Sequence, residues 1–214
     1  MKDSRKHTRI DLVRRRLVGA IMTAPAITLV GCGNGSDAAT QALPTTPTAL
    51  SPTPACDDGD DGPTPEQTEG PYFTSNSPER ASLVENGMAG TRLTITGRVL
   101  STACQPIARA KLDFWQADNA GAYDNNGYRL RGHQFTSDNG EFRLETIVPG
   151  LYPGRTRHIH VKAQAANGRV LTTQLYFPGE PRNASDGIYS ARLEMAIQDA
   201  AGGRAATFNF VLQT

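Results

Sequence analysis

Residues 158–165 read His158-Ile159-His160-Val161-Lys162-Ala163-Gln164-Ala165. Ile159, Val161, Ala163 and Ala165 fall on every second position, the period of a strand that buries one face. The same alternation runs through Leu93, Ile95, Gly97 and Val99, through Leu112 and Phe114, and through Phe142, Leu144, Thr146 and Val148. Val170–Phe177 and Phe208–Leu212 complete the set. Turn formers separate the runs: Asp138-Asn139-Gly140, Pro149-Gly150, Ala166-Asn167-Gly168, Pro178-Gly179 and Gly202-Gly203. A short turn is expected near 78–87, where Ser77 followed by Pro78 would cap it; no longer stretch has a helical period. Many short strands between frequent turns imply an all-β chain, an antiparallel β-sandwich with long loops.

The opening strand also carries chemistry. With Ile159 and Val161 turned to the core, His158 and His160 share the opposite face. Their backbones stand about 7 Å apart, so both imidazoles can reach one ion at about 2 Å. The carboxylate that completes many non-haem iron sites is missing beside this pair. Tyr152, six residues upstream, and Tyr123, in the loop after the Leu112–Gln116 run, are candidate oxygen donors. Phenolate is a hard anionic ligand, and two histidines with two tyrosinates suit Fe(III) better than zinc or copper. Two other readings stay open on these residues alone: a copper or zinc site that adds His133, and a secreted binding module in which the histidines do nothing.

Outside the patterned region the chain changes character. Residues 1–16 hold seven Lys/Arg and two Asp, and residues 17–30 are uncharged. That is the layout of an export signal, and 14 apolar residues are too few to span a bilayer. Leu29-Val30-Gly31-Cys32 resembles the lipobox of bacterial lipoproteins, which implies lipidation of Cys32. Arg14-Arg15-Arg16-Leu17-Val18 is similar to a twin-arginine signal. Removing residues 1–31 leaves 183 residues with a net charge of −4, so bulk charge gives no support for nucleic-acid binding. Residues 33–65 hold six of the 14 prolines and no apolar periodicity, as a tether would. The expected organisation is 1–31 export signal, 32–63 tether and 64–214 domain, in an exported, membrane-anchored protein. With Cys32 lipidated, Cys56 and Cys104 remain as a pair in an oxidising compartment, and a disulfide between tether and domain is the natural expectation.

The run from Leu112 to Tyr123 (LDFWQADNAGAY) resembles a segment of the intradiol ring-cleavage dioxygenases. Leu130-Arg131-Gly132, Thr136-x-Asp138-x-Gly140 and Thr146-Ile147-x-Pro149-Gly150-x-Tyr152 follow in that family's order. Arg155-x-x-His158-Ile159-His160 and Leu171–Phe177 come next, and Thr64-Pro65-x-x-Thr68-Glu69-Gly70-Pro71-Tyr72 matches upstream. The resemblance covers about 64–180. It implies a catalytic β-sandwich with one non-haem Fe(III) held by Tyr123, Tyr152, His158 and His160. Tyr152 matches the tyrosine that leaves the metal when substrate binds, and Arg155 and Gln174 match residues beside the bound ring. The implied reaction takes a catechol and O2 and cleaves the ring between its two hydroxylated carbons to a cis,cis-muconate-type diacid. The resemblance also implies association into homo-oligomers. The Pro153–Arg157 stretch is shorter than in the well-known members, and this loop shapes the pocket, so it leaves the substrate open. Arg157 is expected to be structural.

Overall fold

A computed structural model describes Cys56 and residues 62–214. The export signal over 1–31, Cys32 and most of the 32–63 tether lie outside the described residues. Two sheets make the fold. In the first, β4 (Glu141–Ile147), β1 (Arg92–Ser101), β8 (Gly203–Thr207) and β7 (Ala196–Ala200) are neighbours in that order, and β9 (Phe210–Leu212) also pairs with β1. The second has the order β3 (Arg131–Phe135), β2 (Lys111–Trp115), β5 (His158–Gln164), β6 (Leu171–Tyr176). Helical structure among the described residues is confined to two single turns, Pro181–Ala184 and Ala191–Leu193.

The alternating residues meet between the sheets. Leu93, Ile95, Phe142, Leu144 and Phe210 come from the first sheet, and Leu112, Phe114, Ile159, Val161 and Leu175 from the second. Phe142 stands between Phe114 and Phe210, with ring centroids at 6.0 and 5.7 Å. Each of these side chains contributes about 1.5–3 kcal/mol by leaving water.

Pairing is antiparallel except around β1, which lies parallel to β8 over Leu93–Thr96 and to β9 over Val99–Ser101. Between the two, the chain presses Phe208 against Gly97. A Cβ on Gly97 would fall 1.8 Å from the Phe208 carbonyl oxygen, so only glycine admits the crossing. The Asn209 side chain fills the gap in the ladder by accepting from the Arg98 N–H at 2.7 Å.

Three strands lacked a period-two signal. β3 reads RGHQF and is covered on both faces, while β7 and β8 are Ala-rich, β7 mostly exposed and β8 half-buried. His133, the histidine a copper or zinc site would add, sits inside β3 opposite Asp113. The expected turn near 78–87 is not helical: Glu79 and Ser82 make single bridges to His133 and Glu145. The Ser77 hydroxyl donates to Asp113 at 2.8 Å instead of capping a turn. A disulfide joins Cys56 to Cys104, with their Cα atoms 4.9 Å apart.

Candidate metal centre

Because side chains alternate, the second sheet has a face turned away from the core, and register builds a row across it. Arg131 on β3 lies opposite Trp115 on β2, Trp115 opposite His160 on β5, and His160 opposite Gln174 on β6. His158 lies opposite Tyr176 on the same face. All six side chains are buried, which is unusual for polar groups and costly wherever a polar atom lacks a partner. Segments 64–73, 121–130 and 150–157 supply the partners.

At the centre His158 Nε2 and His160 Nε2 are 3.1 Å apart, and the Tyr123 hydroxyl is 3.3 Å from His158 Nε2. The His158 Nδ1–H donates to the Thr156 carbonyl at 2.7 Å, which leaves the Nε2 lone pair pointing inward. Burial pushes His158 down to about 4 and His160 well below the ordinary histidine range, with the Arg155 charge adding to both. Two neutral imidazoles are the form that ligates metals. Burial pushes the Tyr123 phenol up, against the pull of Arg155 and Arg131. Such a phenol ionises when a cation binds its oxygen. Atoms 3.1 and 3.3 Å apart also have the spacing of neighbouring ligands about 2 Å from one ion. Among the described residues no third His, Cys, Asp or Glu joins the histidines, and the side-chain oxygen that meets them is the Tyr123 hydroxyl. These residues therefore fit a ferric ion.

Tyr152 stands edge-on to Tyr123, with ring centroids at 5.8 Å, and its hydroxyl is 2.8 Å from that of Tyr72. Tyr72 in turn stacks on Tyr123 at 4.7 Å. Thus Tyr123, His158 and His160 meet directly, while Tyr152 lies beside them on a phenol partner of its own.

Arg155 and Gln174 are joined: Arg155 Nη2 donates to Gln174 Oε1 at 2.7 Å. The other edge of the guanidinium meets Asp186, Nε to Oδ2 at 2.8 Å. Burial alone would raise the Asp186 carboxyl. Donation by the Thr156 and Ile188 N–H groups and by Arg155 outweighs it and holds the group below the usual carboxylate range. Arg157 turns away to Glu180 at 2.6 Å and to the Pro149 carbonyl, a structural role. His133 Nδ1 donates to the Ser77 carbonyl at 2.7 Å and belongs to no metal-binding group among the described residues. This leaves the copper or zinc reading without its extra histidine.

Four residues at the site were not singled out from sequence: Tyr72, Trp115, Arg131 and Asp186. Arg131 is 1% exposed and donates to the Asp124 carbonyl at 2.7 and 3.0 Å and to the Tyr72 carbonyl, so one buried cation ties the Tyr72 and Tyr123 loops together. The Tyr72, Trp115 and Arg131 positions lay inside segments that signalled the family. Asp186 lies in a loop with no pattern to find.

A family model, Dioxygenase_C, described as Dioxygenase, matches residues 68–214. Chlorocatechol 1,2-dioxygenase of Rhodococcus opacus is 28% identical over 181 residues, covering 68% of this chain and 70% of that protein. The protocatechuate 3,4-dioxygenase beta chain of Burkholderia cepacia is 36% identical over 134 residues, 54% of this chain and 57% of that one. The dioxygenase domain of a dioxygenase–carbohydrate-binding fusion from the cellulolytic bacterium Streptomyces sp. SirexAA-E is 58% identical. Its structure superimposes with a TM-score of 0.70 over 72% of this chain and 99% of that domain. The chain thus spans somewhat over half to about two thirds of the length of the curated relatives named here. With the sandwich and the Tyr/His cluster they place this chain among enzymes, and it belongs to the intradiol ring-cleavage dioxygenase family.

Proposed function

We propose that this chain uses Fe(III), held by Tyr123, Tyr152, His158 and His160, to insert both atoms of O2 into a catechol-type ring. The ring is cleaved between its hydroxylated carbons to a cis,cis-muconate-type diacid. The observation that carries this reading is the convergence on His158 Nε2 of a second imidazole nitrogen, His160 Nε2 at 3.1 Å, and the buried Tyr123 phenol at 3.3 Å. When bound, the ferric ion supplies Lewis acidity toward the two oxygens of the catechol.

The chain's own residues handle protons and orientation. A catechol has two phenolic protons to lose: Tyr152 Oη, which would be a phenolate on the bound ion, accepts one, and hydroxide accepts the other and leaves as water. The Tyr72 hydroxyl, 2.8 Å away, gives the protonated Tyr152 a partner. Arg155 places a permanent positive charge beside the cluster, where negative charge develops on the ring. Asp186 and Gln174 fix the two edges of that guanidinium. Burial of His158, His160, Trp115 and Gln174 keeps bulk water from this face of the sheet.

The reading extends to location: export under the 1–31 signal, anchoring through lipid on Cys32, and homo-oligomers as the working form. The Cys56–Cys104 disulfide supports an oxidising compartment. The test is the purified protein itself. Tyrosinate bound to Fe(III) gives a red to purple colour, and oxygen uptake with a panel of catechols should yield muconate-type diacids. A colourless protein with stoichiometric metal, or products cleaved outside the two hydroxylated carbons, contradicts the proposal.

A further inference from the structure

The two histidines are held in different ways. His158 has its outer nitrogen fixed by the Thr156 carbonyl at 2.7 Å, the usual device for orienting a metal-binding imidazole. His160 Nδ1 is buried and has no hydrogen-bond partner among the described residues. A ring joined to the backbone by two rotatable bonds and lacking that tether needs another constraint. The Trp115 indole, directly opposite on β2, lies on the imidazole with centroids 4.8 Å apart and planes within 7°.

Three more observations mark the indole's face as the part in use. Trp115 Nε1 is itself buried without a partner among the described residues, so no hydrogen bond between them explains its placement. Phe73 packs on the indole at 4.9 Å, and the Lys162 ammonium sits 3.9 Å over the Phe73 ring, so the indole is backed from outside. At the imidazole edge, a Cβ on Gly70 would make an ordinary contact with His160 Cε1 at 3.4 Å, so the backbone borders the ring there without clamping it.

We propose that Trp115 is a positioning residue that holds the His160 ring plane by stacking, in place of the hydrogen bond that orients His158. This rests on His160 being an iron ligand. Stacked aromatic pairs interact beyond the area they bury, and loss of an outer partner of a metal ligand costs about 10- to 100-fold in affinity.

The experiment compares iron-loaded wild type with Trp115→Phe and Trp115→Tyr, which keep an aromatic face, and with Trp115→Leu and Trp115→Met, which do not. Iron loss to a strong chelator and the visible tyrosinate band are followed, and Phe114→Leu, one residue away on the core side, controls for general loosening. The aliphatic variants are expected to release iron at least about tenfold faster, with a shifted band, and the aromatic ones to stay within about threefold of wild type. Met fills much of the volume, so it carries the comparison where Leu fails to fold. Aliphatic variants that hold iron like wild type overturn the proposal. So do aromatic and aliphatic variants that behave alike, or a Phe114→Leu protein that loses iron as fast as Trp115→Leu. A parallel His160→Ala protein that retains iron and band unchanged overturns instead the ligand assignment beneath it.

Discussion

The two sheets share one interior and differ in what their outer faces meet. On the first, Arg98, Glu141, Arg143 and Glu145 point into water and pair with one another at 3.0–3.1 Å. On the second, Arg131, Trp115, His160 and Gln174 form a row that loops cover completely. Both faces alternate with the same core, so backbone geometry does not separate scaffold from site. The covering loops do: they turn one polar face into a desolvated one, where a charge or lone pair without a partner is costly and a metal becomes the natural partner.

The largest effect should come from emptying the covered row. His160→Ala is expected to lower ring cleavage by more than about a hundredfold and to lower iron content, measured by oxygen uptake and metal analysis. If His160→Ala and Tyr123→Phe both keep full iron and activity, the covered face is scaffold like the other. On the shared interior, Leu144→Ala should cost about 2–5 kcal/mol in urea unfolding while leaving the colour of the folded protein unchanged. A changed colour would mean the two faces are not separable.

Between these lies the rim of the site. Asp186→Asn frees one edge of Arg155 and should lower kcat roughly 10- to 100-fold with a smaller change in KM. Its folded value lies below the ordinary one, so its contribution to stability is present above the ordinary carboxylate range near pH ~4 and lost as pH falls through the lowered value. Melting temperatures recorded from pH 6 downward should fall in wild type and flatten in Asp186→Asn. An unaltered acid limb would remove Asp186 from this account. Smallest of all, Glu141→Ala breaks an exposed pair on the open face and should change stability by no more than about 0.5 kcal/mol by chemical denaturation. A loss of several times that would make the solvent face a structural one.

The same contrast explains what the sequence makes legible. β4 alternates buried and exposed along its length because one face meets water, and its period-two signal is plain. β2 is buried from Leu112 to Trp115, so alternation marks its inner residues but says nothing of Trp115 facing the site. β3 carries Arg131, His133 and Gln134 in a covered strand and looks like loop. β7 is exposed on nearly every residue, with too little apolar content for any period. The two histidines were legible because His-x-His on a strand fixes a common face, whereas Tyr123 and Tyr152 became ligands only through the resemblance to the family. Asp186 was not, because a loop carboxylate acquires its role only when the chain folds back over Arg155.

The disulfide has a mechanical meaning. Cys56 and Cys104 are 48 residues apart in sequence, and closing such a loop lowers the entropy of the unfolded chain by an equivalent of about 4 kcal/mol. Residues 64–73, which lie over the Tyr/His cluster, fall inside that closed loop. A pull on the chain ahead of Cys56 therefore passes through sulfur into the corner between β1 and β2, short-circuiting the cover. The crosslink fastens the start of that cover to the sandwich at a point the cover itself does not include.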